Sequence, residues 1–166
     1  DARVRSRLDL AKLDQAIGIE NMTLKGIFSA DIVSKGKYIK EKNQFPVTKG
    51  DLELKNGFIH STYYPNPITS INCKAKATNQ TGQMKDLYIQ LDPASFSFEN
   101  KPFSLIASFN NFEDINYDIK ANGELDIERI YKVFFQKGLN VTGYAKMDLA
   151  LKGKQSDATN GRYSNL

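Results

Sequence analysis

Between Ile115 and Ile127, Ile115, Tyr117, Ile119, Ala121 and Leu125 alternate with Asn116, Asp118, Lys120, Asn122 and Glu124. A period of two puts successive side chains on opposite faces of a strand, so this stretch must have one apolar face and one wet face. The same pattern returns as Ile71, Cys73, Ala75 and Ala77, then as Leu87, Ile89 and Leu91, as Phe96 and Phe98, and as Phe103, Leu105, Ala107 and Phe109. Turn residues 79–82, Asp92-Pro93 and Asn100-Lys101-Pro102 separate these rows. Residues 51–55 read as a strand that turns at Asn56-Gly57, the strongest short hairpin signal, into Phe58-Ile59-His60. Tyr63-Tyr64-Pro65-Asn66-Pro67-Ile68 is too rich in proline for a central strand and reads as a linking loop. Eight or nine strands on short connections make the chain mainly β, with mostly antiparallel neighbours.

A second feature is a repeat. Residues 8–37 align without a gap on residues 125–154, matching Leu8/Leu125, Asp9/Asp126, Gly26/Gly143, Asp31/Asp148 and Lys35-Gly36-Lys37/Lys152-Gly153-Lys154. Apolar type is kept at Leu10/Ile127, Leu13/Ile130, Ile17/Phe134, Met22/Leu139, Leu24/Val141 and Ile32/Leu149. Each copy opens with an N-capping aspartate and a short amphipathic helix. The predicted stripes are Leu10, Leu13 and Ile17 in the first helix and Ile127, Ile130 and Phe134 in the second, the latter flanked by Tyr131, Val133 and Phe135. Asn21 and Gly138 occupy the stop position, and both tolerate a left-handed conformation. The period then becomes two, with Leu24, Phe28, Ala30 and Ile32 in one copy and Val141 to Leu151 in the other. Gly26 and Gly143 sit inside these strands, where glycine marks a bulge or a close approach. Residues 161–166 resemble the start of the strand at Gly50-Asp51-Leu52. The expectation is a single domain over 1–166, cut from a longer repetitive protein.

Two short helices cannot cover the apolar faces of so many strands. The sheet must close on itself, pack on a second sheet, or hold something apolar. The fold expected is mainly β with two short helices (α+β): a curved, mostly antiparallel sheet forming an open groove or a partly closed barrel. A closed barrel would not need to begin the next unit, so the repeat favours an extending sheet.

The chain offers little for catalysis. His60 is the only histidine and Cys73 the only cysteine, which leaves no zinc spacing and no internal disulfide. Cys73 stands in an apolar row, where a thiol behaves as a small hydrophobe. Glu113, Asp114 and Asp118 lack the glycine and ligand spacing of a calcium loop. No phosphate-cradling glycine loop is present. No catalytic residue and no cofactor are assigned, and the chain is read as a non-enzyme. Its net charge of +4 comes from lysines scattered along the strands. Nucleic acid would require a clustered basic stripe interleaved with aromatics, so nucleic-acid binding is not expected. No apolar run approaches the roughly 20 residues that cross a bilayer as a helix. The first residues form no signal core.

Taken in order, Leu8-Asp9-Leu10 with its helix, the strand from Gly26 to Gly36, Gly50-Asp51-Leu52-Glu53-Leu54-Lys55-Asn56-Gly57, Tyr64-Pro65-Asn66-Pro67-Ile68 and the return of Leu125-Asp126-Ile127 form a recognisable series. It resembles the C-terminal region of the AsmA family, bacterial envelope proteins related to TamB. The resemblance runs from about Arg7 to Leu166 and brings no catalytic motif. It implies a periplasmic segment of a protein anchored in the inner membrane by a part not in this chain. It further implies a curved sheet whose apolar groove handles phospholipid acyl chains between envelope membranes in outer-membrane biogenesis. The groove-lining candidates are Ile71, Leu87, Ile89, Phe96, Phe103, Leu105, Ile119 and Met147. The alternative is a structural envelope spacer or protein-interaction module with a closed core.

Overall fold

A computed structural model describes residues 1–134 and 143–160, apart from the side chains of Met147 and Ala158. Eight strands, β1 (Ala2–Asp9), β2 (Met22–Lys35), β3 (Val47–Ser61), β4 (Tyr64–Asn79), β5 (Leu87–Phe98), β6 (Lys101–Asn110), β7 (Asn116–Asp126) and β8 (Tyr144–Lys154), form one sheet in the order of the chain. Every neighbouring pair is antiparallel, and β1 does not pair with β8, so the sheet is open. Helices α1 (Leu10–Ile17) and α2 (Ile127–Phe134) follow β1 and β7, and a third, α3 (Gln155–Thr159), follows β8.

The two repeat copies have the same register. Leu8 pairs with Phe28 and Asp9 with Ile27, as Leu125 pairs with Ala145 and Asp126 with Tyr144. Both aspartates cap a helix: Asp9 accepts the Ala11 and Lys12 N–H groups at 3.0 and 3.4 Å, and Asp126 accepts the Arg129 N–H at 3.0 Å. Helix α1 ends earlier than its sequence suggests, on Gly18 in the left-handed conformation. Asn21, also left-handed, belongs to the turn beyond it. Gly138, Leu139, Val141, Phe135 and residues 161–166 lie outside the described residues.

Three predicted breaks are instead irregularities within continuous strands. Asn56-Gly57 does not turn the chain, because β3 runs on to Ser61 and the hairpin closes at Thr62-Tyr63, between the paired residues Ser61 and Tyr64. Asn56 adopts φ +50°, and its N–H donates to Asn72 Oδ1 at 3.0 Å, so the pair forms a bulge. The Tyr64–Ile68 segment is the start of β4 and not a loop. Pairing with β5 begins only at Ile68, and the β3 register shifts at the same place, so neither Pro65 nor Pro67 occupies a regular ladder position. Asp92-Pro93 is a bulge in β5, with the register shifting on both sides between Leu91 and Ala94.

At the β2–β3 bulge the two backbones touch. A Cβ on Gly26 would lie 2.9 Å from the Gly57 Cα, and one on Gly57 would lie 2.8 Å from the Ile71 Cβ. Gly57→Ala is therefore expected to lower stability by about 1–3 kcal/mol through overpacking, read as an earlier urea midpoint at unchanged slope.

The sheet is curved at the helix end. Helix α2 leaves β7 yet contacts β3 and β4 as well as β7 and β8. Strands about 4.8 Å apart would place β3 and β7 roughly 19 Å apart in a flat sheet, more than one helix of about 10–12 Å can bridge. There Val133, 0% exposed, packs with Ile68 and Phe98, supported by Ile59, Tyr64, Ile71, Phe96, Leu125 and Ile130. The predicted stripe is therefore shifted. Ile130 and Val133 face the sheet, while Ile127 and Phe134 are partly exposed, because α2 crosses towards β4 and does not lie along its own strand.

Candidate functional site

Register gathers the apolar side chains onto one face. One line across the sheet is Ala30, Leu52, Ala75, Leu91, Ala107, Ile119 and Leu151, each paired with the next. A second is Leu8, Phe28, Leu54, Cys73, Ala94, Leu105, Ala121 and Leu149. Small and large residues alternate along much of the first line. Ala30, Ala107 and Ala121 are buried as a floor, and the larger neighbours on either side are only half-covered. Among the described residues the buried apolar side chains are these three alanines with Ile68, Phe98 and Val133. Among the described residues, the apolar side chains larger than alanine that are buried on this face, Ile68 and Phe98, lie with Val133 at the α2 end, and α1 packs on β2.

Seven of the eight predicted lining residues fall on this face, at two depths. Ile71, paired with Gly57, and Phe96 belong to the helix-covered end. Phe103 stacks on Phe96 with ring centroids 5.1 Å apart. Ile89 stands between Ala77 and Phe109, Leu105 between Ala94 and Ala121, and Ile119 between Ala107 and Leu151, all in the uncovered region. Leu87 lies opposite Asn79 at the end away from α2. Met147 holds the β8 position opposite Gly123, but its side chain is outside the described residues. Sequence reasoning missed Phe28, Leu52, Leu54 and the alanine floor as lining. Their alternation was visible, but only cross-strand register shows that they share a line with Leu105 and Ile119.

The helix that closes one end is held by charge. Glu99, in the β5–β6 turn, accepts the Tyr64 hydroxyl at 2.6 Å, Asn66 Nδ2 at 2.9 Å and Arg129 Nη1 at 2.9 Å. Arg129 also reaches Asp126 at 3.1 Å. The Tyr64 hydroxyl bond, helped by Asn66 and Arg129, holds the Glu99 carboxyl below its ordinary value of 4.5. Burial, with Glu99 beside it, pushes the Tyr64 phenol up. A carboxyl with a depressed folded-state pKa stabilises the fold above its unfolded pKa, and that contribution is lost as pH falls through the folded value. Stability is thus expected to decline below about pH 4.5 more steeply in the wild type than in Glu99→Gln, as read by denaturant titrations at stepped pH. Beside this cluster, Glu124 is brought to about 2 by the Tyr144 hydroxyl, Lys101 and Lys146.

The opposite face is polar. Two hollows on it, of about 630 and 410 Å³, are lined by residues such as Asn116, Asp118 and Lys152 in one and Arg5, Asp31, Glu53 and Lys74 in the other. Charges in both are paired across strands, Asp118 with Lys152 at 3.8 Å, Asp31 with Arg5 at 3.0 Å and Glu53 with Lys74 at 3.7 Å. These hollows read as a solvated ion-paired surface. His60 lies opposite Thr23, and Cys73, its thiol pushed up by burial, lies on the apolar face between Leu54 and Ala94. The two do not form a nucleophile–base pair, since β-pairing puts them on opposite faces. Among the described residues no group of His, Cys, Asp or Glu side chains is placed to hold a metal ion, and no helix is long and apolar enough to cross a membrane. No family model, curated protein or solved structure matches this chain, so the geometry of the uncovered apolar face carries the reading of the site.

Proposed function

We propose that this chain is a non-enzymatic lipid-handling segment of an AsmA-like envelope protein, whose open apolar face holds phospholipid acyl chains. One observation carries the reading: eight strands turn their apolar rows to one side, and among the described residues no layer beyond the short helices α1 and α2 covers them. An acyl chain suits such a face because it needs no directional partner and gains about 0.8 kcal/mol for each CH₂ withdrawn from water. The same lack of directional contacts lets the chain slide along the rows. On this reading the periplasm is the site of action, and envelope membranes are reached through the parent protein.

The test is organic extraction of the protein purified without detergent, followed by mass spectrometry. Phospholipid is expected in stoichiometric amount. Lipid-free protein that also takes up no phospholipid from vesicles would refute the reading. It would leave the alternative of a structural envelope spacer or protein-interaction module.

A further inference from the structure

We infer that the loop joining β2 to β3, residues 36–46, docks the chain on the surface of an anionic phospholipid bilayer. Charge is the first ground. Contrary to the even scatter that the sequence suggests, it gathers here: residues 35–49 hold five lysines, Lys35, Lys37, Lys40, Lys42 and Lys49, against one acid, Glu41. That leaves eighteen basic and eighteen acidic residues elsewhere, so this segment accounts for the whole net charge of +4. All five lysines are exposed, and among the described residues none is ion-paired. The cations of the strands behave differently, since Arg5, Lys74, Lys101 and Lys152 each meet a carboxylate.

Apolar side chains stand among these cations. Tyr38 is 55% exposed, Val47 42% and Phe45 37%, and the Tyr38 and Phe45 rings lean on each other with centroids 5.1 Å apart. The loop is built and braced. Ile39 and Gln44 exchange backbone hydrogen bonds of 2.9 and 3.1 Å around one 3-10 turn, Lys40–Lys42, closed by Asn43 at φ +46°. The Phe45 N–H donates to the Gly82 carbonyl in the β4–β5 turn at 2.7 Å, and a Cβ on Gly82 would collide with the Phe45 carbonyl oxygen. Gly82 is itself fixed, its N–H donating to the buried Asn79 side chain at 2.7 Å. Cations and rings are thus displayed before docking, which limits the ordering cost of contact. Such a display matches a bilayer interface, where lysine amines meet lipid phosphates and aromatic rings sit at headgroup depth. Nucleic acid fits it less well. Residues 35–49 contain no arginine, the side chain that forks onto phosphates and base edges, and the paired rings form a knob and not a flat platform for bases.

The experiment floats the whole chain with phosphatidylcholine vesicles, plain or with about a third of the lipid replaced by phosphatidylglycerol. Binding is expected to the anionic vesicles alone and should weaken as salt is raised. Lys37→Gln/Lys40→Gln/Lys42→Gln, checked for folding by an unchanged urea midpoint, should lower the affinity about a hundredfold. The chain has no tryptophan, so Tyr38→Trp supplies a single probe whose emission should move to shorter wavelength on the anionic vesicles. Ile106→Trp, on the polar face of β6 and away from the loop, should not shift. Docking does not rest on the acyl-chain reading: Leu105→Asp should float as the wild type does, so loss of docking and loss of bound lipid are read separately. Equal binding to the two vesicles, full affinity in the triple variant, no shift in Tyr38→Trp, or tighter binding of a single-stranded oligonucleotide than of the anionic vesicles would each overturn the inference.

Discussion

Phe98→Ala is expected to lower stability by about 3–5 kcal/mol, the range for deleting a large aromatic from a packed site, and urea or thermal unfolding would measure it. The size of this effect follows from how little of the chain is buried. Phe98 is 3% exposed and packs with Ile68, Val133 and the Tyr64 ring, whose centroid is 5.8 Å away. A protein with a broad core can relax around a lost ring, but here the cluster is what ties α2 to the curved end of the sheet. Hydrogen exchange should then show α2 opening before the strands do. A loss under about 1 kcal/mol would show that the cluster does not anchor the helix end.

Leu105→Asp should have the opposite profile. Leu105 lies in the uncovered region between Ala94 and Ala121 and is only partly buried, so a carboxylate there keeps contact with water and the fold is expected to survive. Lipid recovered with the protein should fall by about tenfold, because a charge replaces a side chain worth about 1.5–3 kcal/mol of apolar burial. Leu105→Met, which conserves volume, should keep its lipid. A folded Leu105→Asp protein with an undiminished lipid load would remove Leu105 from the site. If Leu105→Asp destabilised the chain as much as Phe98→Ala does, the uncovered face would be core after all.

The contrast between these two residues also marks what the sequence could and could not reveal. Both stand in plainly alternating runs, so their placement on the apolar side of a β-sheet was legible from period alone. Their difference in depth was not. It depends on α2 crossing from β7 to β4, and Val133 reaches the core through that crossing angle, which the spacing of Ile127, Ile130 and Phe134 does not encode. The misread breaks share one cause. Asn56-Gly57, Pro65 with Pro67, and Asp92-Pro93 are residues that prefer turns, but local preference cannot distinguish a turn from a bulge. What decides is whether a neighbouring strand continues to pair beyond the irregularity, as β4 does past Gly57 and β6 past Pro93. The repeat was legible because its register-setting residues, an aspartate cap and a glycine in the following strand, have few substitutes. Strand β1 went unrecognised because its alternating residues are arginines, and hydrophobic patterning does not see a strand whose wet face dominates.

The register match between the first and second strand–helix–strand joints sets a stride. Strand β7 stands where β1 stood, six strands further along, and six is even. Translation by that stride restores both the direction of the chain and the side on which the greasy rows lie. An odd stride would keep the rows on one side only by reversing the chain at each step. A sheet assembled by such strides would grow by about 29 Å per copy at about 4.8 Å per strand, and its slick would run uninterrupted for as many copies as are joined.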